Sequence, residues 1–176
     1  MDLRAPSPPL TDGVVTLRPP ADGDLAAIDL GLHDPDVVRW FGQPVSSAAD
    51  VLALNRSRWA DGSPTFSICE QDLACVGHVW MNRSTSDLTT GSIGYWLLPG
   101  ARGRGLATRA VRLISDWAIE GLGIWRLRLY TEPDNEPSQR VAERSGFERI
   151  GTIAGHGEID GRSVDQVLYE RVPEGG

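Results

Sequence analysis

The sequence predicts one α/β domain built around a mostly antiparallel sheet. Three observations lead there. Seven short runs carry strand patterning, and stretches of helical periodicity separate them in the order strand, two helices, three strands, helix, strand, helix, two strands. The connections are short and polar or glycine-bearing, with no repeat, low-complexity tract or linker. The length of 176 residues suits a single core. Residues 1–176 therefore form one unit, with a Pro-rich lead-in over 1–12 and a flexible tail over 171–176.

The first strand is VVTLRP at 14–19, which alternates and is β-branched. Asp22 is placed to cap a helix running to Leu32, and Pro35 to start a second, short one ending near Gly42. Ser47 caps the next helix, in which Val51, Leu52, Asn55 and Trp59 fall on neighbouring turns before Gly62 and Pro64 stop it. TFSICE and LACVGHVWM form a hairpin, and SIGYWLLP is a third strand ended by Pro99. From Leu106 the residues Ala110, Leu113, Ile114 and Trp117 share one helical face, closed by Gly121 and Gly123. IWRLRLYT is a strand, with Tyr130 read as core. A short helix follows from an Asn135 cap to Gly146, and a hairpin around EIDG closes the chain.

Composition excludes several classes. A net charge of −7 argues against a broad nucleic-acid surface. No apolar run is long enough for a membrane span, and the N-terminus lacks an apolar signal core. Every basic side chain except histidine is arginine, so neither a phosphate-loop lysine nor a Schiff-base lysine exists. Cys69 and Cys75 read as reduced thiols on adjacent strands of a cytoplasmic protein. His33, His78 and His156 show no metal-ligand spacing, so no metal is expected.

The segment PGARGRGLATRAV puts glycine and arginine just before a helix. The first helical N–H groups have no intrahelical partner and the dipole makes that end positive. Gly103 and Gly105 remove side chains that would hold an anion away, and Arg102 and Arg104 add cations able to grip phosphate in pairs. A diphosphate fits this turn. The Walker lysine is missing, and Thr108 stands where the dinucleotide fingerprint has its last glycine.

The run Arg102-Gly103-Arg104-Gly105-Leu106-Ala107 resembles the Arg/Gln-x-x-Gly-x-Gly/Ala loop of the GNAT acyltransferases. Asn135, Ser138, Gly146 and Phe147 follow in the order of that family's second segment. The likeness covers about residues 14–170 and looks most like the branch of ribosomal-protein N-terminal-alanine acetyltransferases. It implies a twisted sheet of about seven strands flanked by helices and splayed at the cofactor site. It also implies acetyl-coenzyme A as acyl donor, with Arg102 to Thr108 holding its pyrophosphate. Backbone at Trp96, Leu97 and Leu98 would bind pantetheine and the thioester oxygen, and Asn135 would hydrogen-bond pantetheine.

In such enzymes a neutral amine attacks the acetyl carbonyl directly and a thiolate leaves. The resemblance makes Ser138 the proton donor to sulfur. The family's glutamate before IGY is Ser92 here, which leaves a water chain, His78 or Glu132 as base. Trp40, Phe41, Trp80 and Tyr95 are expected to line the acceptor cleft. The acceptor is a primary amine, on a protein N-terminus or a small molecule, and a homodimer is compatible with the resemblance. The alternative is a non-catalytic acyl-coenzyme A binding or sensing module, because the family carboxylate is missing.

Overall fold

The computed structural model describes residues 3–41, 47–70, 74–159 and 161–173, the side chains of residues 40 and 41 excepted. The strands are β1 (Leu10–Thr11), β2 (Thr16–Arg18), β3 (Thr65–Cys69), β4 (Cys75–Arg83), β5 (Thr90–Leu97), β6 (Arg126–Thr131), β7 (Glu148–Ile159) and β8 (Arg162–Arg171). The helices are α1 (Leu25–Leu32), α2 (Pro35–Phe41), α3 (Ala48–Ser57), α4 (Leu106–Leu122) and α5 (Glu136–Arg144). They make one sheet in the order β1-β2-β3-β4-β5-β6-β8-β7, in which β5 and β6 are the one parallel pair described. β1 is a two-residue strand inside the lead-in, and β8 extends into the expected tail, where Arg171 binds Asp116 at 2.6 Å. Residues 174–176 lie outside the described residues.

Local chemistry explains the boundaries. Ser47 caps α3 by accepting from the Asp50 amide at 3.2 Å, and Asn135 caps α5 by accepting from Ser138 N at 3.1 Å. Gly123 ends α4 at φ +67°, a left-handed position that favours glycine. The expected cap at Asp22 does not form: Asp22 pairs with Arg56, residues 22–24 make a short 3-10 turn ahead of α1, and the Asp24 carboxylate reaches back to accept from Ala21 N at 2.8 Å. Asp24 is fully buried and also accepts twice from Arg18 and once from Ser67. That satisfies its lone pairs, which a buried carboxylate requires.

Strand alternation divides the sheet into two faces. Val79, Met81, Ile93, Leu97, Leu127 and Leu129 join the buried stripe of α4, namely Leu106, Ala110, Val111, Ile114 and Ala118, in the main core. The opposite face carries Ser67, His78, Trp80 and Trp96 and is covered near α1 and α3, where His78 meets Asn55. Gly77, opposite Leu97 in the register, admits close packing of β4 on β5. A Cβ at that position would overlap the Trp96 carbonyl oxygen and stand 2.9 Å from Leu97 Cα. Both are backbone and cannot yield cheaply. Gly77→Ala is expected to cost about 1–3 kcal/mol, read as a lower urea midpoint with an unchanged m-value.

Candidate active site

The site starts where the sheet opens. β5 and β6 pair through four rungs, from Thr90 with Arg126 to Ile93 with Leu129. Beyond Ile93, β5 continues to Leu97 on β4, and β6 to Thr131 on β8. The two strands part, and a cleft of about 760 Å³ occupies the gap. Gly94 to Leu97 line one wall, and Leu129 to Glu132 with Asn135 and Ser138 line the other. The split exposes main-chain donors and acceptors to a ligand, as such groups need partners.

At one end of the cleft the chain turns through Pro99–Ala101 and enters α4. Gly103 and Gly105 hold φ of +73° and +78°, and a Cβ on either would meet nothing within 4 Å. The space above the turn is open, and Gly103, Gly105, Leu106, Ala107 and Thr108 line the cleft. The first-turn amides of α4 lack intrahelical partners and suit an anion there. A pyrophosphate fits this cradle, and an extended thioester arm fits the split beyond it.

Both arginines of the expected clamp are held by carboxylates. Arg102 is bound to Asp34 at 2.9 Å and Asp36 at 2.8 Å, and its Nε donates to Leu97 O at 3.0 Å. Arg104 makes two bonds to Glu70, at 2.6 and 3.0 Å, and is not among the residues lining the cleft. Both guanidinium groups thus brace the loop. Burial pushes the Asp34 carboxyl up, but bonds from Arg102 and from the Val37 and Asp36 amides outweigh it and hold the group below its usual range. Arg102 nevertheless lines the cleft, as does Arg39, and two further cations that the sequence reading missed, Arg140 and Arg144, lie on its rim. They lie on successive turns of α5, a spacing that marks one helix face.

The other candidates separate cleanly. Leu98 turns away from the cleft, and its amide is committed to Val76 O at 2.9 Å. Trp96 lines the cleft, but its indole packs beside α1, where a Cβ on Gly31 would stand 2.8 Å from it. Trp80 lies across Gly94 on that same face. Tyr95 points to the opposite face, and its hydroxyl donates to Ser138 Oγ at 3.1 Å. Trp80 and Tyr95 both line the cleft, from opposite faces of the sheet, and Tyr95 stands beside the expected proton donor. Tyr130 is no core residue: it lines the cleft and stacks on His156, with centroids 4.7 Å apart. The backbone of Trp40 and Phe41 ends α2, and their side chains lie outside the described residues.

His78 is corrected as a candidate base. Its ring is 1% exposed, bonded to Asn55 at 3.0 Å, beside the Trp96 indole and not among the cleft-lining residues. Burial pushes its pKa down to about 4, so it is neutral at ordinary pH, and it has no path to an acceptor amine. His78, Asp24 and Cys75 do bring three donor atoms within 4.8 Å of one another. The trio does not suit a metal. Asp24 is already saturated by Arg18, Ser67 and Ala21, and burial first, with Asp24 adding, pushes the Cys75 thiol up to about 12. Cys75 and Cys69 are opposite each other in the sheet register, and both are free thiols.

Asp36, Glu132 and Asp134 line the cleft; Asp36 is paired with Arg102, and Glu132 is the buried one of the three. It is 5% exposed and receives two bonds from Arg39 of α2, at 3.1 and 3.3 Å. Burial raises its pKa, Arg39 opposes that, and Asp134 adds to it; the balance is upward. The strand-end position of Glu132 was visible in the sequence, but its approach to the cleft depends on the split.

A cleft of this kind has room for an activated acyl donor beside an acceptor, and comparison with known proteins places the scaffold. The family model described as "Acetyltransferase (GNAT) domain" matches residues 15–148, and the chain belongs to that family. It is an acetyltransferase. It is 26% identical to the spermidine N(1)-acetyltransferase of Escherichia coli K12 over 149 residues, 84% of this chain and 80% of that protein. Among solved structures, Mycobacterium smegmatis RimJ in complex with CoA-disulfide is 26% identical, with a TM-score of 0.80 over 92% of this chain and 83% of that one. A putative ribosomal-protein-serine acetyltransferase from Vibrio cholerae shares the fold at a TM-score of 0.81 and 22% identity, over 97% of this chain and 100% of that one. Among the described residues, no helix is long and apolar enough to cross a membrane.

Proposed function

We propose that the chain moves an acetyl group from acetyl-coenzyme A to a primary amine, with Glu132 as general base and Ser138 as proton donor to sulfur. One observation carries this reading. The glycine turn, the open edge of β5, Ser138 and Glu132 all line one continuous cleft. Acetyl-coenzyme A, when bound, supplies an activated thioester. The α4 amides and Gly103–Gly105 turn hold its pyrophosphate, with Arg144 at the rim adding charge. Main-chain groups of the β5 edge orient the thioester and polarise its carbonyl.

Glu132 takes the proton from the incoming ammonium. Its burial raises its basicity toward the range useful at neutral pH, and it replaces the carboxylate that Ser92 does not supply. Ser138 sits at the first turn of α5, its amide tied to the Asn135 cap, so the hydroxyl position is fixed. Acceptor amines include polyamines, as for the Escherichia coli relative, and protein N-termini, as the names of the ribosomal-protein neighbours suggest.

The test is amine-dependent thiol release from acetyl-coenzyme A, run on spermidine and on peptides with free N-termini. Turnover on one of these supports the reading, and binding of coenzyme A without turnover on any defeats it. Ser138→Ala is expected to lower kcat by about 10–100-fold with KM for acetyl-coenzyme A within about twofold, the pattern of a group acting in the transition state. A wild-type kcat removes Ser138 as the donor.

A further inference from the structure

The geometry points to Tyr95 as a positioning residue that orients Ser138 and resupplies its proton as the thiolate leaves. This rests on the transferase reading above and extends it to a side chain on the far wall of the cleft. Tyr95 lies on β5 two residues past the last β5–β6 rung, where the strands have already parted. Its hydroxyl spans the gap and donates to Ser138 Oγ at 3.1 Å. Donation in that direction has a consequence for serine. Ser138 Oγ accepts from Tyr95, so its own hydrogen stays free to point into the cleft.

Acidity gives the second argument. A serine hydroxyl is too weak an acid to give up a proton alone to a thiolate, whose conjugate acid has a pKa of about 8.5 when unperturbed. A phenol, at about 10, is far closer. A connected Tyr95–Ser138 pair therefore protonates sulfur without ever forming a serine alkoxide. The carbon–sulfur bond breaks and sulfur keeps the electron pair. The Ser138 O–H proton forms the new S–H bond, and the Tyr95 O–H proton restores the serine hydroxyl. Tyr95 is left as phenolate and regains a proton from solvent once the products leave the cleft. Burial raises the Tyr95 pKa, partly offset by the Ser138 bond, so the phenol is protonated at the start of each cycle.

The test is a double-mutant cycle read in kcat and KM separately, with thermal unfolding as a check that the near-isosteric Tyr95→Phe is folded. Tyr95→Phe is expected to lower kcat about tenfold, with KM for acetyl-coenzyme A and for the amine within about twofold. Tyr95→Phe/Ser138→Ala should be no slower than Ser138→Ala alone, because the tyrosine acts only through the serine. A wild-type kcat for Tyr95→Phe, or a further tenfold loss in the double variant, overturns the proposal. A measurement on folded wild type needs no change at position 95. In single turnovers, the rate of thiol release should bow against the deuterium fraction of the solvent, and the Ser138→Ala plot should straighten. A straight line for wild type also overturns it. A wild type that releases no thiol with any amine instead defeats the transferase reading, and this proposal with it.

Discussion

Gly105→Glu is expected to abolish coenzyme A binding, with Kd raised about 100-fold or more in calorimetry. Two causes act together. Position 105 holds φ +78°, which costs a non-glycine residue roughly 1–2 kcal/mol and disturbs the entry to α4. The new carboxylate also stands at the helix end whose amides face the cleft, opposing a diphosphate in a partly desolvated space. Gly105→Ala separates the two. A Cβ there has no neighbour within 4 Å, so alanine tests backbone strain without charge and should keep binding within about tenfold. Saturating ligand gives a second readout. At 100 times Kd it should stabilise the wild type by about 2.7 kcal/mol, a Tm rise of several degrees. Gly105→Glu should show no such rise at that concentration. An unchanged Kd would remove the turn from the donor site.

The loss expected from Glu132→Gln is about 100-fold in kcat, with donor affinity unchanged. Glutamine keeps the shape and can still meet Arg39, but cannot take a proton. The pH profile carries the sharper signature. A base works when deprotonated, so kcat/KM should fall as pH drops through the Glu132 pKa. Because burial raises that pKa above the ordinary glutamate value, the acidic limb should begin at higher pH than for an exposed glutamate. In Glu132→Gln the limb should vanish. A variant with wild-type kcat, or with the limb intact, would leave a water chain as the surviving route for the amine proton.

The glycine turn, the α5 cap and the succession of strands and helices along the chain were legible because their signals are local. Gly103, Gly105 and Asn135 announce backbone geometry within a few residues. The ion pairs of the arginines were not legible, for the opposite reason. Arg102 meets Asp36 across 66 positions of sequence and Arg104 meets Glu70 across 34, and no periodicity encodes such meetings. Separations of 93 and 43 positions likewise hid Arg39 with Glu132 and Tyr95 with Ser138. For His78, alternation places it on the face of Trp80, but not under Asn55 and Trp96. β1 is too short to leave a pattern at all. Tyr130 sits on an alternating strand whose register reads as core, and only the parting of β5 from β6 uncovers it.

That parting also divides the molecule mechanically. β1 to β5 form one antiparallel raft and β6 to β8 another, stitched along four rungs and spanned by α4. A guest that bonds to both rims supplies the missing stitches and behaves, for as long as it stays, as an extra strand. Loading the donor is then expected to stiffen the sheet, read as slower amide exchange along β5 and β6 than in the empty protein.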